Sequence, residues 1–228
     1  MARYKSEIGG KEVVTTIVSK QGDETVYSQT FTEPTSMKRV KMKFRVKASS
    51  FAGMGQGLFL EDCSVEEGLL VGIYTAWSWG KFGYDFPERF IGKTYDVYDP
   101  KLQETVVEVN KGPRFVGQKI TLPAGRRMFC PTAVCPLQFV NDNIDLGESK
   151  RCKTVVRHAS LNYNCRFHIN TNIYGHFMML EATRKIEAGE ELWVSYGDDT
   201  YWKSVIAVGE GGGSEEDWRE VYHFCDEM

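Results

Sequence analysis

Residues 40–47 read VKMKFRVK, with apolar and basic side chains alternating without a break. Successive side chains of a β-strand point to opposite faces, so this run is a half-buried strand with Val40, Met42, Phe44 and Val46 on one side. Few other segments carry a helical period. Short β-like runs separated by Gly, Asp and Pro dominate instead. Residues 12–18 and 25–31 flank KQGDE as a hairpin, and further strands are expected at 57–60, 69–75, 104–109, 118–122, 153–157, 165–169, 176–183 and 191–196. PAGRR and EAGEE have the composition of tight turns. The expected fold class is mainly β, with few short helices.

A chain of 228 residues with 42% hydrophobic and 13% aromatic residues is long and apolar enough to bury a sizeable core. No apolar run is long enough to span a bilayer, and MARYKSEIGGKE lacks the apolar stretch of a signal peptide, so no membrane association and an intracellular, nuclear or cytoplasmic setting are expected. The six cysteines are scattered, with no C-x-C or C-x-x-C pair to nucleate a zinc site. No metal is expected, and reduced thiols are.

The net charge of −3 hides an asymmetry. Residues 1–50 carry ten Lys/Arg against five Asp/Glu, whereas residues 187–228 carry two against twelve. An acidic C-terminal surface attracts a cationic partner and repels nucleic acid, although a solvated acidic face is the commoner cause of such a run. The basic face of 40–47 is equally explained as the solvated side of a strand, and direct nucleic-acid binding is not expected. Near the end, GEGGGS (209–214) reads as a linker; after it, Trp218, Val221, Tyr222 and Cys225 share one face of an expected helix.

Three stretches have the composition of a site. AGMGQGLF (52–59) has glycines at 53, 55 and 57, which permit positive φ or close approach to a ligand but equally make a plain turn. LQFVNDN (137–143) is an apolar, strand-like run ending in Asn141-Asp142-Asn143, either a turn or a polar ledge near the core. EATRKIEAGEELWVSYGDDTYW (181–202) delivers Tyr196 at a strand end, with Tyr201 and Trp202 close behind. Such aromatics either pack on a core or wall an apolar channel.

Taken together and in this order, these stretches resemble the SET-domain protein lysine methyltransferases. Gly55-Gln56-Gly57-Leu58-Phe59 looks like the family's G-x-G-L-F, and Gly68 to Tyr74 like the strand that ends in its Y-x-G. Phe139-Val140-Asn141 is similar to the start of F-I-N-H-S, and Asn164-Cys165 to the pair that follows it. Ala182 to Gly197 matches A-x-R-x-I-x-x-G-E-E-L-x-x-x-Y-G almost throughout. The likeness spans residues 46–202, with an insert around 77–135; residues 1–45 form an N-terminal extension and 203–228 an acidic tail.

The resemblance implies a knotted fold of several short sheets that transfers a methyl group from S-adenosylmethionine to a lysine amine. The substrate would be a lysine in a basic protein or peptide, histone tails included. Backbone at Gly55, Gln56 and Gly57, with the side chain of Asn141, would meet the cofactor's amino-acid portion. Main-chain groups of Asp142 would read its adenine, and Asn164 would belong to the same cofactor site. Tyr196 would stand at the reacting amine, with Tyr74 as a second channel aromatic. Tyr201, Trp202 and Trp218 would help close the substrate channel.

The chain also departs from that pattern. Asp142 and Asn143 stand where the family has His and Ser, and Ala76 stands in place of a Gly. Residues 144–163 separate the triplet from Asn164, so either a hairpin is inserted there or Asn164 is not the counterpart. Zinc-binding cysteine segments are missing. These departures leave open a second reading, a catalytically inactive SET-like domain that binds a protein partner.

Overall fold

The computed structural model describes residues 3–8, 11–33, 36–74, 76–78, 95–98, 105–110, 116–122, 126–131, 135–159, 161–172, 175–196, 199, 202, 203 and 206. Tyr201, Trp218 and the C-terminal helix expected around it lie outside these residues.

The first sheet is a five-stranded antiparallel meander of β1 (Arg3–Ile8), β2 (Lys11–Gln21), β3 (Glu24–Thr32), β4 (Arg39–Ala48) and β5 (Gln56–Leu60), paired in that order. The expected hairpin closes at Gly22, whose φ of 59° suits a residue without Cβ. In β4 the alternation plays out as read: Met42, Phe44 and Val46 are buried, and Val40 is partly covered. Three of the four cations on the other face are engaged. Lys43 pairs with Asp62 at 2.5 Å, Arg45 with Glu24 at 2.9 Å and Glu61 at 2.5 Å, and Lys47 sits 4.3 Å from the Phe59 ring centroid. Because β4 runs across residue 45 and pairs with β5, the N-terminal extension and the start of the SET-like stretch share one sheet.

A second sheet has the order β12 (Cys165–Asn172), β13 (Gly175–Ala182), β6 (Leu70–Tyr74). Between them in sequence, β7 (Ala76–Ser78), β8 (Tyr95–Tyr98) and β11 (Arg126–Pro131) form a third sheet, and β9 (Thr105–Asn110) pairs with β10 (Val116–Leu122). The described residues thus form antiparallel sheets with one α-helix, a mainly β fold. None of their helices is long and apolar enough to cross a membrane. The core is continuous across the first two sheets, from Phe31, Phe44 and Leu58 to Val71, Tyr74, Met178 and Leu180.

Those two sheets are joined by a polar contact as well as by packing. Gln29 is fully buried on β3; its Oε1 accepts from Ile73 N–H at 2.7 Å and its Nε2 donates to Ile73 O at 2.8 Å. The amide therefore pairs with β6 as a strand residue would. Gly72 is small for the same reason: a Cβ there would press on Gln29 Oε1 at 3.1 Å and on Leu137.

Three expected strands are not strands. Leu137–Phe139 belong to a 3-10 helix, Pro136–Phe139, because Pro136 at its first position presets the helical φ. Residues 153–157 form a loop after the helix α1 (Leu146–Cys152), so the hairpin, one of the two alternatives for residues 144–163, is not formed and a capped helix stands there. Asp145 caps it by accepting from Glu148 N–H at 2.9 Å. The Val156 backbone bonds to Ser149 Oγ and to Asp145 N–H, local partners that replace a strand neighbour. Residues 191–196 make only isolated bridges, Glu191 to Phe59 and Trp193 to Asn141, since their backbone groups go to different neighbours in turn. The EAGEE turn does form, with Gly189 at φ 82° and Glu190 N–H bonded to Glu187 O at 3.1 Å.

Gln29→Leu would leave the Ile73 N–H and C=O unpaired in the core, each costing about 1–3 kcal/mol. Urea unfolding of this variant is expected to show a loss of about 2 kcal/mol or more; a change below about 0.5 kcal/mol would contradict the role given to the amide.

Candidate functional site

The glycine-rich loop is closed on itself where β4 hands over to β5. Ser49 N–H bonds to Gly55 O at 2.9 Å, and Gly53 and Gly55 take φ of 84° and 71°. Neither φ is comfortable for a residue with a Cβ, and a Cβ at either position would meet nothing within 4 Å, so the loop borders open space. Gln56 turns its side chain away, donating to Asp23 O at 2.8 Å.

Gly57 faces inward, and here the constraint is contact. A Cβ would collide with Oε1 of Glu191, a carboxylate only 4% exposed. Glu191 Oε1 accepts from Ser49 Oγ at 2.7 Å, and Oε2 from Ser50 N–H at 2.7 Å. Asn141 Nδ2 lies 3.4 Å from the same Oε1 and donates to Gln56 O at 3.0 Å. One buried carboxylate therefore gathers the loop, the Asn141 amide and the 190–194 segment.

That segment is held on its other side by Asn164, which is fully buried. Asn164 Oδ1 accepts from Trp193 N–H at 2.7 Å, and Nδ2 donates to Glu191 O at 2.8 Å and to Glu190 Oε1 at 3.2 Å. Asn141 bridges Trp193 in parallel, with Val194 N–H bonded to Asn141 O at 2.9 Å. Phe51, at the loop's entry, packs on His158 with ring centroids 4.0 Å apart and planes tilted by 34°, and meets Trp193 edge-on at 5.3 Å.

Asp142 is 1% exposed and is met by donors from every side. Its Oδ1 accepts from Tyr163 O–H at 2.6 Å and from Asn143 N–H at 2.7 Å, with Arg157 Nη1 3.8 Å away. Its Oδ2 accepts from Trp202 Nε1 at 2.8 Å and from Tyr196 N–H at 3.2 Å. Tyr196 O–H donates to Val140 O at 2.7 Å, and its ring stacks on Trp202 at 5.6 Å and 9°. Asn143 is tied back through Nδ2 to Leu161 O at 2.9 Å.

The structure thus brings Gly55, Gln56, Gly57, Asn141 and Asn164 together around Glu191, and Asp142, Tyr196 and Trp202 around one carboxylate. Tyr74 ends β6 in the core, 1% exposed, with Phe167 edge-on to its ring at 6.0 Å. Glu191, Phe51, Arg157, His158 and Tyr163 take part without having been singled out from the sequence. Glu191 lies inside the GEEL motif and Tyr163 precedes Asn164, so both were within reach. Arg157 and His158 sit in the insert, where no motif marks them. Among the described residues, no group of metal-ligating side chains comes together.

Burial, with the Asp142 carboxylate beside it, pushes the Tyr163 hydroxyl up to about 12. The unfolded group titrates near ~10, so its contribution to stability is fully present below that pH and is lost as pH rises toward 12. Unfolding followed at increasing pH is expected to show a decline above pH ~10 that Tyr163→Phe makes shallower, with Tyr27, whose hydroxyl is also raised by burial, among the groups that keep the remainder. In Gly57→Ala the new methyl displaces Glu191 from the loop; a stability loss of about 2 kcal/mol or more is expected, and a loss below about 0.5 kcal/mol would show that the loop tolerates a Cβ.

No protein-family profile matches the chain, and no curated protein does. Among solved structures it is similar to SET-domain methyltransferases. One is ctPRC2 in an autoinhibited conformation bound to S-adenosylmethionine, at 18% identity and a TM-score of 0.37, over 67% of this chain and 15% of that one. Another is ATXR5 in complex with mono-methylated histone H3.1, at 13% and 0.36, over 66% and 56%. A third is CpSET8 from Cryptosporidium, at 14% and 0.35, over 67% and 56%. The matches span less than two thirds of each of those chains. The likeness is loose, and the chain's own residues carry the functional reading.

Proposed function

We propose that the protein is a lysine N-methyltransferase that uses S-adenosylmethionine and acts on a lysine in a basic protein segment, histone tails included. The observation that carries this reading is the convergence of three stretches far apart in sequence. The Asn141 amide touches the carbonyl of Gln56 in the glycine loop, while its neighbour Asp142 holds the backbone of Tyr196.

The residues fit the cofactor. Gly53 and Gly55 border open space, and the loop carrying them is anchored to the Asn141 side chain. Gly55, Gln56, Gly57 and Asn141 would hold the amino-acid portion, and the backbone at Asp142 the adenine. When bound, the cofactor supplies an electrophilic methyl on a sulfonium. The chain's task is to orient and deprotonate the amine. A lysine near pKa ~10.4 is protonated in water, and apolar walls disfavour the ammonium form. Tyr196 and Trp202 present such a wall as a stacked pair. The Tyr196 hydroxyl donates to Val140 O, and in this reading its oxygen would accept from an amine N–H. That contact would hold the nitrogen lone pair in line with the methyl.

Acidic residues between 187 and 228 suit a cationic substrate. The family's His is replaced by Asp142, yet the carboxylate is matched by donors at both oxygens, which favours an assembled site over an inactive one.

Two measurements test the reading. Calorimetry is expected to give saturable S-adenosylmethionine binding; none would promote the protein-binding module. Labelled cofactor with core histones and a lysine peptide array, read by mass spectrometry, is expected to give methyl-lysine. Tyr196→Phe should lower the rate by about a hundredfold or change the number of methyls added. Unaltered kinetics and products in that variant would remove Tyr196 from the proposed role.

A further inference from the structure

Asp142 does more than shape the ledge that contains it. A carboxylate taken out of water costs several kcal/mol unless its lone pairs are filled and its charge is offset. Its two oxygens are served by different parts of the chain. Oδ1 is met by Asn143 N–H and by Tyr163 and Arg157, both from the stretch that follows the triplet. Arg157 reaches onward to Asp199 at 2.5 Å. Oδ2 faces the segment after residue 195 and takes two donors there, Tyr196 N–H and Trp202 Nε1–H.

Tyr196 is consequently fixed at three points: its N–H by Asp142, its O–H by Val140, its ring by Trp202. Two of the three pass through Oδ2, since the same oxygen also sets the plane of the Trp202 indole. A neutral amide in its place offers one acceptor oxygen and an NH2 group with two donors, so one of the two oxygen positions turns from acceptor to donor. It cannot serve Tyr196 N–H, Trp202 Nε1–H and Asn143 N–H together.

We propose that Asp142 is a positioning residue for methyl transfer: Oδ2 sets the stacked Tyr196–Trp202 pair, and with it the aim of the Tyr196 hydroxyl, while Tyr163 O–H and Asn143 N–H hold the other oxygen and Arg157 offsets its charge from 3.8 Å. The inference rests on the methyltransferase reading, but the clasp itself is measurable without substrate or cofactor. It differs from a backbone contact to the cofactor, because it acts through the side chain on the aromatic pair.

The test compares wild type, Asp142→Asn and Trp202→Phe as full chains. Trp202→Phe assigns the Trp202 indole N–H in proton–nitrogen NMR spectra. In Asp142→Asn that signal is expected to move upfield and to exchange faster with solvent. S-adenosylmethionine affinity should stay within about threefold of wild type, while kcat on a lysine peptide falls about tenfold or more. A mixture of methylation states different from that of wild type would also support the proposal. An unmoved indole signal overturns the clasp, and kcat within about twofold of wild type overturns the positioning role. Affinity falling in step with kcat would make Asp142 part of the cofactor ledge alone, also overturning it. If wild type binds no S-adenosylmethionine, the methyltransferase reading fails and the transfer role with it, whereas the indole signal still reports separately whether the clasp exists.

Discussion

Buried carboxylates have to be met by donors, and in this protein that requirement assembles the site. Glu191 draws Ser49, Ser50 and Asn141 toward one point. Asp142, one residue beyond Asn141, draws Tyr163, Tyr196 and Trp202 toward another. Neither acid lies on a regular strand. Each instead supplies the acceptors that irregular backbone needs where a strand ladder is missing, so order in the loop and order in residues 190–196 depend on each other. The collision that awaits any Cβ at Gly57 is the steric side of the same arrangement.

The regular part of the fold was legible because period-2 patterning and turn chemistry agree there. VKMKFRVK and the KQGDE hairpin form as read, and strands cover most of the expected runs. The misreadings fall where side chains compete with the ladder. Ser149 and Asp145 capture the backbone of Val156, Pro136 turns an apolar run into a 3-10 helix, and Asn164 takes the Trp193 N–H. Hydrophobicity alone cannot distinguish such segments from strands. The candidate site was marked in the sequence only as separate motifs, and the contacts that join them were not legible. Arg157 and His158 come from the stretch between the triplet and Asn164, and their contacts with Asp142 and Phe51 depend wholly on where the chain returns.

The stretch after the Asn-Asp-Asn triplet also makes the buried acid at position 142 tolerable. An acid alone there would be an uncompensated buried charge. Arg157 and Tyr163, both from this stretch, supply a nearby cation and a donating hydroxyl. The tilted Phe51–His158 ring contact ties the same stretch to the entry of the glycine loop.

The pairing of Gln29 with Ile73 has a consequence of another kind. In the sheet ordered β12, β13, β6, the last strand has no further strand beside it among the described residues, and it is buried along its whole length, so backbone groups left unmet there would be orphaned in the core. A side-chain amide from the neighbouring sheet supplies both missing partners at Ile73. One residue thus stands in for a strand at a point where packing leaves no room for a real one.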